Sequence, residues 1–326
     1  MSGDAILITG GAGFIGSHLA ERLLERGRGV VVLDNFDPFY EASIKRRNIR
    51  RASGHPAYTF VEGDIRDSES LDALFESQSI GAAVHLAARA GVRPSIQDPI
   101  LYSSVNLDGT TRLLEACRRH GVKRFLFGSS SSVYGNNDKV PFGEEDPVDR
   151  PISPYAATKK AGEVLCHSYH HLFDMQIDCL RFFTVFGPRQ RPEMAIHKFT
   201  RRLADGRKIQ QYGDGSSARD YTFVADIVDG ILAVLEHDSG YEIWNLGGSH
   251  AITLAELVEK IAARLGVRPE VEQLPMQPGE VERTWADIDK AQRVLGWSPR
   301  VGIDRGLDLF LAWFREEQQS LDERPT

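Results

Sequence analysis

The chain has 326 residues, 41% of them hydrophobic and 26% charged, with a formal net charge of −7. That supplies a full core for one large domain or two interleaved ones, and the acidic balance excludes broad nucleic-acid binding, which needs a basic face. Three cysteines (Cys117, Cys166, Cys179) lack the spacing of a disulfide framework or a metal site. Asp4 stands where a signal peptide carries basic residues, and no apolar run approaches the ~20 residues of a membrane helix, so the expected compartment is the cytoplasm.

Along the chain, strand and helix signals alternate. Ala5 to Thr9 is a short apolar run, followed by Phe14, Ile15, Leu19, Leu23 and Leu24 at helical spacing. Strand-like segments recur at Val30 to Leu33, Tyr58 to Val61, Ala82 to Leu86, Arg124 to Gly128 and Ile177 to Phe182. Helical segments at Ser70 to Glu76, Gly109 to His120 and Tyr155 to Leu172 lie between several of them. Such alternation predicts an α/β fold with a doubly wound parallel sheet and a ligand site beyond the carboxyl ends of its strands. After Phe186 the rhythm changes to a Pro- and Arg-rich loop, a glycine turn at Gly213 to Gly215, a helix from Asp226 to Leu235 and a strand-like Tyr241 to Leu246. Thr253 and Glu256 spell a capping box, and Arg305 to Arg315 reads as a last helix. The expected division is a dinucleotide-binding domain over 1–180, with 220–246 returning to it, and a smaller α/β substrate lobe from 181–219 and 247–326.

Gly10, Gly13 and Gly16 follow the first strand and open the first helix, the context in which backbone amides receive a pyrophosphate; a tight turn without ligand would use the same residues. Asp34 closes the next strand, where a carboxylate accepts ribose hydroxyls and favours NAD over NADP. Asp64 ends the third strand, either at an adenine edge or as a loop cap. Tyr155 and Lys159 are four residues apart on one predicted helix face. A free tyrosine titrates near 10, so use near neutrality requires roughly 2.7 kcal/mol of phenolate stabilisation. In the catalytic reading Tyr155 takes a hydroxyl proton as hydride leaves, Lys159 lowers its pKa and holds the cofactor ribose, and one of Ser129 to Ser132 bonds the same oxygen; the alternative is an exposed pair with no chemistry.

With Gly10 to Gly16, Asp34-Asn35, Gly63-Asp64-Ile65, His85-Leu86-Ala87-Ala88, Asn106, Ser129 to Gly135, Tyr155 to Lys159 and Arg219-Asp220-Tyr221, nearly the whole chain resembles an extended short-chain dehydrogenase/reductase of the nucleotide-sugar epimerase and dehydratase branch. The resemblance implies an NAD enzyme with Ser130, Tyr155 and Lys159 catalytic. It places Phe14, Ile15, Asn35, Asp64, Ile65, Leu86, Ala87, Ala88 and Arg89 on the cofactor, with Asn106 supporting the active-site helix. It also implies a homodimer. Dehydratases of this branch carry an acidic residue just after the active-site Ser or Thr. Here Ser131, Ser132 and Val133 follow, so the implied chemistry is 4-epimerisation through a 4-keto sugar, with NAD as a resident catalyst and no metal.

For the substrate, the resemblance implies a UDP-sugar. Arg219 would grip the diphosphate, Gln210 and Tyr212 would meet uracil, and Ser130, Ser132 and Tyr155 would face the sugar. Thr184 stands where UDP-galactose 4-epimerases usually have Asn. The stretches around Arg93 and Arg191 look more like UDP-glucuronate 4-epimerases, with Thr184, Arg191 and Arg93 around a C5 carboxylate. Gln277 and Glu280 replace an Arg and an Asp expected near the ribose and diphosphate in the galactose enzymes. UDP-glucose 4-epimerase and a non-catalytic NAD-binding regulator are the alternatives.

Overall fold

The computed structural model describes residues 4–238, 240–275, 279 and 281–322. The first half runs β1 (Ala5–Thr9), α1 (Phe14–Glu25), β2 (Val30–Asp34), α2 (Ala42–Ile49), β3 (Tyr58–Glu62), α3 (Ser68–Ser77), β4 (Ile80–His85), α4 (Val92–Gln97), α5 (Pro99–Ser103), a π-helical turn (Ser104–Asp108), α6 (Gly109–Arg119) and β5 (Arg124–Ser130). It continues through α7 (Pro154–Phe173), β6 (Gln176–Phe182), β7 (Thr184–Phe186), α8 (Ala195–Ala204), β8 (Ile209–Tyr212), β9 (Ala218–Phe223), α9 (Val224–Leu235), β10 (Tyr241–Leu246), β11 (Ala251–Thr253), α10 (Leu254–Leu265), β12 (Val271–Leu274), α11 (Asp289–Leu295) and α12 (Ile303–Asp322).

Seven strands form one sheet in the order β10-β6-β5-β4-β1-β2-β3, every pair parallel, so the expected doubly wound α/β fold is present. The central strands are apolar runs buried on both faces, as β2 (VVVLD) shows along its whole length. Alternate side chains divide the core. Ile6, Ile8, Val30, Val32, Val84 and Leu126 face one cluster with α1 and α9, and Leu7, Val31, Leu33, Ala83, Phe125 and Phe127 face another with α3, α6 and α7. Two small sheets, β11-β9-β7 and β12-β8, make up the strands of the rest.

Local signals set the elements that carry chemistry. α7 starts where Ser153 Oγ accepts from Ala156 N at 3.1 Å and Pro154 occupies the first turn; it ends at Asp174 in the left-handed region, φ 53°. The capping box of Thr253 and Glu256 opens α10. The helix expected from Gly109 is the end of a longer run beginning at Pro99, and the π turn within it carries Asn106. No helix among the described residues is long and apolar enough to cross a membrane.

Candidate active site

Because the sheet is parallel, Thr9, Asp34, His85, Ser130 and Phe182 all end at one edge, and the strand order reverses between β1 and β4. There a cleft of about 490 Å³ opens, lined by the glycine loop, the ends of β2 to β6, Tyr155, Lys159 and residues of the second half including Thr184, Arg191, Met194, Arg219 and Thr284.

The glycine loop is built for close backbone approach. Gly10 has φ 70°, and its N–H donates to Leu33 O at 2.8 Å. A Cβ on Gly16 would lie 2.5 Å from Gly10 O and 2.7 Å from Gly11 Cα, so only glycine lets α1 start there. No side chain caps that start, and Gly13 to Gly16 line the cleft. Asp34 Oδ2 accepts from Ala12 N at 3.1 Å and Oδ1 from Phe36 N at 2.9 Å, and Lys45 Nζ lies 3.5 Å from Oδ1. One acceptor position of Oδ2 is left for a ribose hydroxyl.

Asp64 lines the cleft and caps its own loop, the second of its two sequence readings. Its carboxylate accepts from Arg66 N and Nε at 2.9 Å each, Arg66 Nη2 at 2.7 Å and Asn35 Nδ2 at 2.9 Å. Four donors fill its acceptor capacity, and the Arg66 bonds hold its pKa at about 2. Its side chain braces the cleft wall with Asn35, and a direct bond to an adenine amine would have to displace one of these donors.

Leu86 to Arg89 continue β4 along the cleft, where Ala87 N donates to Thr9 Oγ1 at 3.3 Å. Asn106 Oδ1 accepts from Arg89 N at 2.8 Å, and its Nδ2 donates to Arg89 O and to Thr158 Oγ1, both at 3.0 Å. Thr158 lies between Tyr155 and Lys159 on α7, so Asn106 ties that helix to the cofactor-side loop.

Ser130 ends β5 and lines the cleft with Tyr155, whose pKa it helps to lower. Ser132 Oγ donates to Ser130 Oγ at 3.0 Å. Lys159 Nζ is buried, donates to Gly128 O at 2.7 Å and lies 6.0 Å from the Tyr155 ring centre. Burial lowers the Lys159 pKa to about 8. Within the chain itself, burial raises the Tyr155 pKa, and Ser130 and the Arg191 charge pull it back. Two cations stand near the phenol: Lys159, on the same helix, and Arg191, whose charge favours the phenolate.

In the second half, Thr184 and Arg191 line the same cleft as Ser130 and Tyr155. Arg219 also lines it, its Nη1 donating to Ala218 O at 3.0 Å and Glu282 O at 3.2 Å. Arg93 is placed elsewhere. Its guanidinium stacks 4.1 Å over the Tyr212 ring, and neither residue nor Gln210, which pairs with Glu272, lines the cleft. Arg93 is therefore not grouped with Arg191 around one carboxylate, and one face of Tyr212 is covered. Gln277 and Glu280 lie outside the described residues.

Several residues were missed from sequence. Lys45 balances Asp34, and Phe39 and Tyr40 close the cofactor side, signalled only by an aromatic cluster after β2. Buried Asp220 accepts from Gly248 N at 2.6 Å and Ala286 N at 3.0 Å, while burial pushes its pKa up to about 6, so it joins two loops beside Arg219. Beneath the serines, Glu163 and Arg181 form a buried pair.

A comparison with known families matches residues 7–310 to the family described as GDP-mannose 4,6 dehydratase. The chain belongs to this family of extended short-chain dehydrogenase/reductases. Within the family it is similar to a UDP-glucuronate 4-epimerase of Thermodesulfobacterium geofontis, 40% identical over 311 residues, 95% of this chain and 96% of the relative. Among solved structures it is similar to the UDP-glucuronic acid 4-epimerase of Bacillus cereus in complex with UDP-glucuronic acid and NAD, with TM-score 0.91, 36% identity and coverage of 96% and 99%. It is also similar to the UDP-glucose 4-epimerase of Thermus thermophilus in complex with NAD, with TM-score 0.87, 35% identity and coverage of 95% and 99%.

Proposed function

We propose that this protein is an NAD-dependent UDP-sugar 4-epimerase that favours UDP-glucuronate and UDP-galacturonate. The observation that carries the reading is that Thr184 and Arg191 share one cleft with Ser130, Tyr155 and Lys159. An arginine fork and a threonine hydroxyl suit a C5 carboxylate, and the relatives named for UDP-glucuronate favour the same sugar. The family description names a dehydratase, but elimination of water needs a carboxyl group beside the catalytic serine, and Ser131 and Ser132 stand there.

The glycine loop would hold the NAD pyrophosphate, Asp34 the adenosine ribose, and Lys159 the nicotinamide ribose. When bound, NAD would supply the hydride acceptor and donor for sugar C4. Tyr155 Oη removes the C4 hydroxyl proton as C4 is oxidised and gives it back after the 4-keto sugar has turned, so protons and electrons balance with no net redox change. Ser130 Oγ shares the C4 oxygen with Tyr155 and keeps it in line. Arg219 is assigned to the diphosphate, and uracil to the region of Gln210 and Tyr212. Residues 1–180 with 220–246 form the cofactor half in this reading, and 181–219 with 247–326 form the sugar-nucleotide half.

The proposal extends to a cytoplasmic homodimer. The three cysteines are free and buried, and Ile100, Val164 and Leu172 are 81%, 55% and 66% exposed on α5 and α7, apolar side chains that a second copy would cover.

The purified protein, given no added NAD, should interconvert UDP-glucuronate and UDP-galacturonate, with the C4 epimers resolved by chromatography. Tyr155→Phe should abolish conversion and retain NAD. Turnover of UDP-glucose without UDP-glucuronate would overturn the sugar preference, and no conversion of any nucleotide sugar would favour a non-catalytic NAD-binding regulator.

A further inference from the structure

The loop that presents Arg191 is anchored at several points. Arg189 Nη2 donates to Glu21 Oε1 on α1 at 2.8 Å, His18 Nε2 donates to Pro188 O at 3.0 Å, and Met194 N donates to Arg191 O at 3.1 Å. Arg191 packs 5.7 Å from the Phe39 ring centre, with its side chain 22% exposed. Two residues on, Glu193 Oε1 lies 2.8 Å from Arg191 Nε; Glu193 is 41% exposed and is not among the cleft-lining residues, so it meets Arg191 from the outer flank.

The pair is close in charge but poorly directed, because the buried Nε–H makes no aligned hydrogen bond to the carboxylate. A neutral sugar would offer the half-buried guanidinium no counter-charge, and Glu193 supplies one from within the chain. A sugar carboxylate offers aligned fork bonds instead, and Glu193, already partly in water, can yield at little cost.

We infer that Glu193 is a built-in counter-carboxylate for Arg191, so that the cleft takes neutral UDP-hexoses as well as UDP-uronates and the Arg191–Glu193 pair sets the ratio between them. The inference rests on the assignment of Arg191 to the sugar carboxylate.

The test is calorimetric titration of the NAD-loaded Tyr155→Phe protein, which binds without turnover, with UDP-glucuronate and UDP-glucose at low, fixed ionic strength. Adding Glu193→Gln should raise the preference for UDP-glucuronate, the ratio of the two Kd values, by about 3- to 5-fold, the range of a partly exposed ion pair. Glu193→Asp, which keeps the charge, should stay closer to the parent ratio. A ratio unchanged in Glu193→Gln, or shifted toward UDP-glucose, overturns the inference. Failure of the unmutated chain to convert UDP-glucuronate is a separate result and overturns the sugar assignment, so the two failures are read from different measurements.

Discussion

Replacing Glu163 by Gln should be among the most damaging single changes in the chain. Glu163 Oε1 accepts from Ser129 Oγ at 2.7 Å and from Arg181 Nε at 2.8 Å, and Oε2 accepts from Arg181 Nη2 at 2.9 Å. Both side chains of the ion pair are 1% exposed. Arg181 Nη1 also donates to Tyr134 OH at 2.9 Å, and that hydroxyl donates to Asn245 Oδ1 at 2.7 Å, so the guanidinium sits inside a closed network. The neutral amide of Glu163→Gln would leave the guanidinium charge buried without its counter-charge, which costs roughly 3–5 kcal/mol. Removing both charges, as Glu163→Gln with Arg181→Met, relieves that penalty, so the double variant should be more stable than the sum of the two single losses by roughly 2–3 kcal/mol. Urea unfolding of the four proteins, followed by tryptophan fluorescence and circular dichroism, measures the cycle where the two probes coincide. A Glu163→Gln loss below about 1 kcal/mol, the scale of an exposed pair, would refute the reasoning, and so would strict additivity of the double variant.

Gly16→Ala should lose NAD, because its Cβ would meet backbone at 2.5 Å and 2.7 Å with no side chain to yield; cofactor released on denaturation and quantified by chromatography checks this, and a full complement would contradict it. Acid sensitivity should trace in part to His85, fully buried between Thr9 Oγ1 at 2.7 Å and Thr110 Oγ1 at 2.9 Å, with its pKa lowered to about 3 by burial and secondarily by Lys159. The unfolded chain, with a His pKa near 6.5, binds the proton first, so this contribution to stability is present above about 6.5 and is lost as pH falls toward 3. His85→Gln should flatten the stability profile in that window, and an unchanged slope would count against the assignment. Ile100→Glu with Leu172→Glu should give a monomer by analytical ultracentrifugation if the exposed apolar residues of α5 and α7 make the dimer face, and a dimer of unchanged strength would place the interface elsewhere.

The fold was legible because its signals are local. Apolar runs such as AILIT and VVVLD can be satisfied only by strands covered on both faces, and glycines at 10, 13 and 16 followed by helical spacing specify a strand, turn and helix wherever they occur. The seven-stranded sheet therefore followed from the one-dimensional pattern. Ser130 falls at the strand edge for the same reason, whereas Tyr155 and Lys159 sit on α7 and reach the cleft through the packing of that helix on the sheet.

What the sequence could not decide was how charges are shared between distant segments. Lys159 is near Tyr155 in sequence and in space, and the fold adds a second cation, Arg191, 36 residues beyond Tyr155 and on a loop held by α1. Arg93 and Arg191 looked alike as candidates for one carboxylate, and packing put the first on Tyr212 and the second in the cleft. Asp64 lies two residues beyond the end of β3, where Arg66 and Asn35 take up its acceptors. Periodicity records which face a residue lies on. Which partner it neutralises depends on distances across the fold and on how much water is excluded, and both arise only when the two halves close around the cleft.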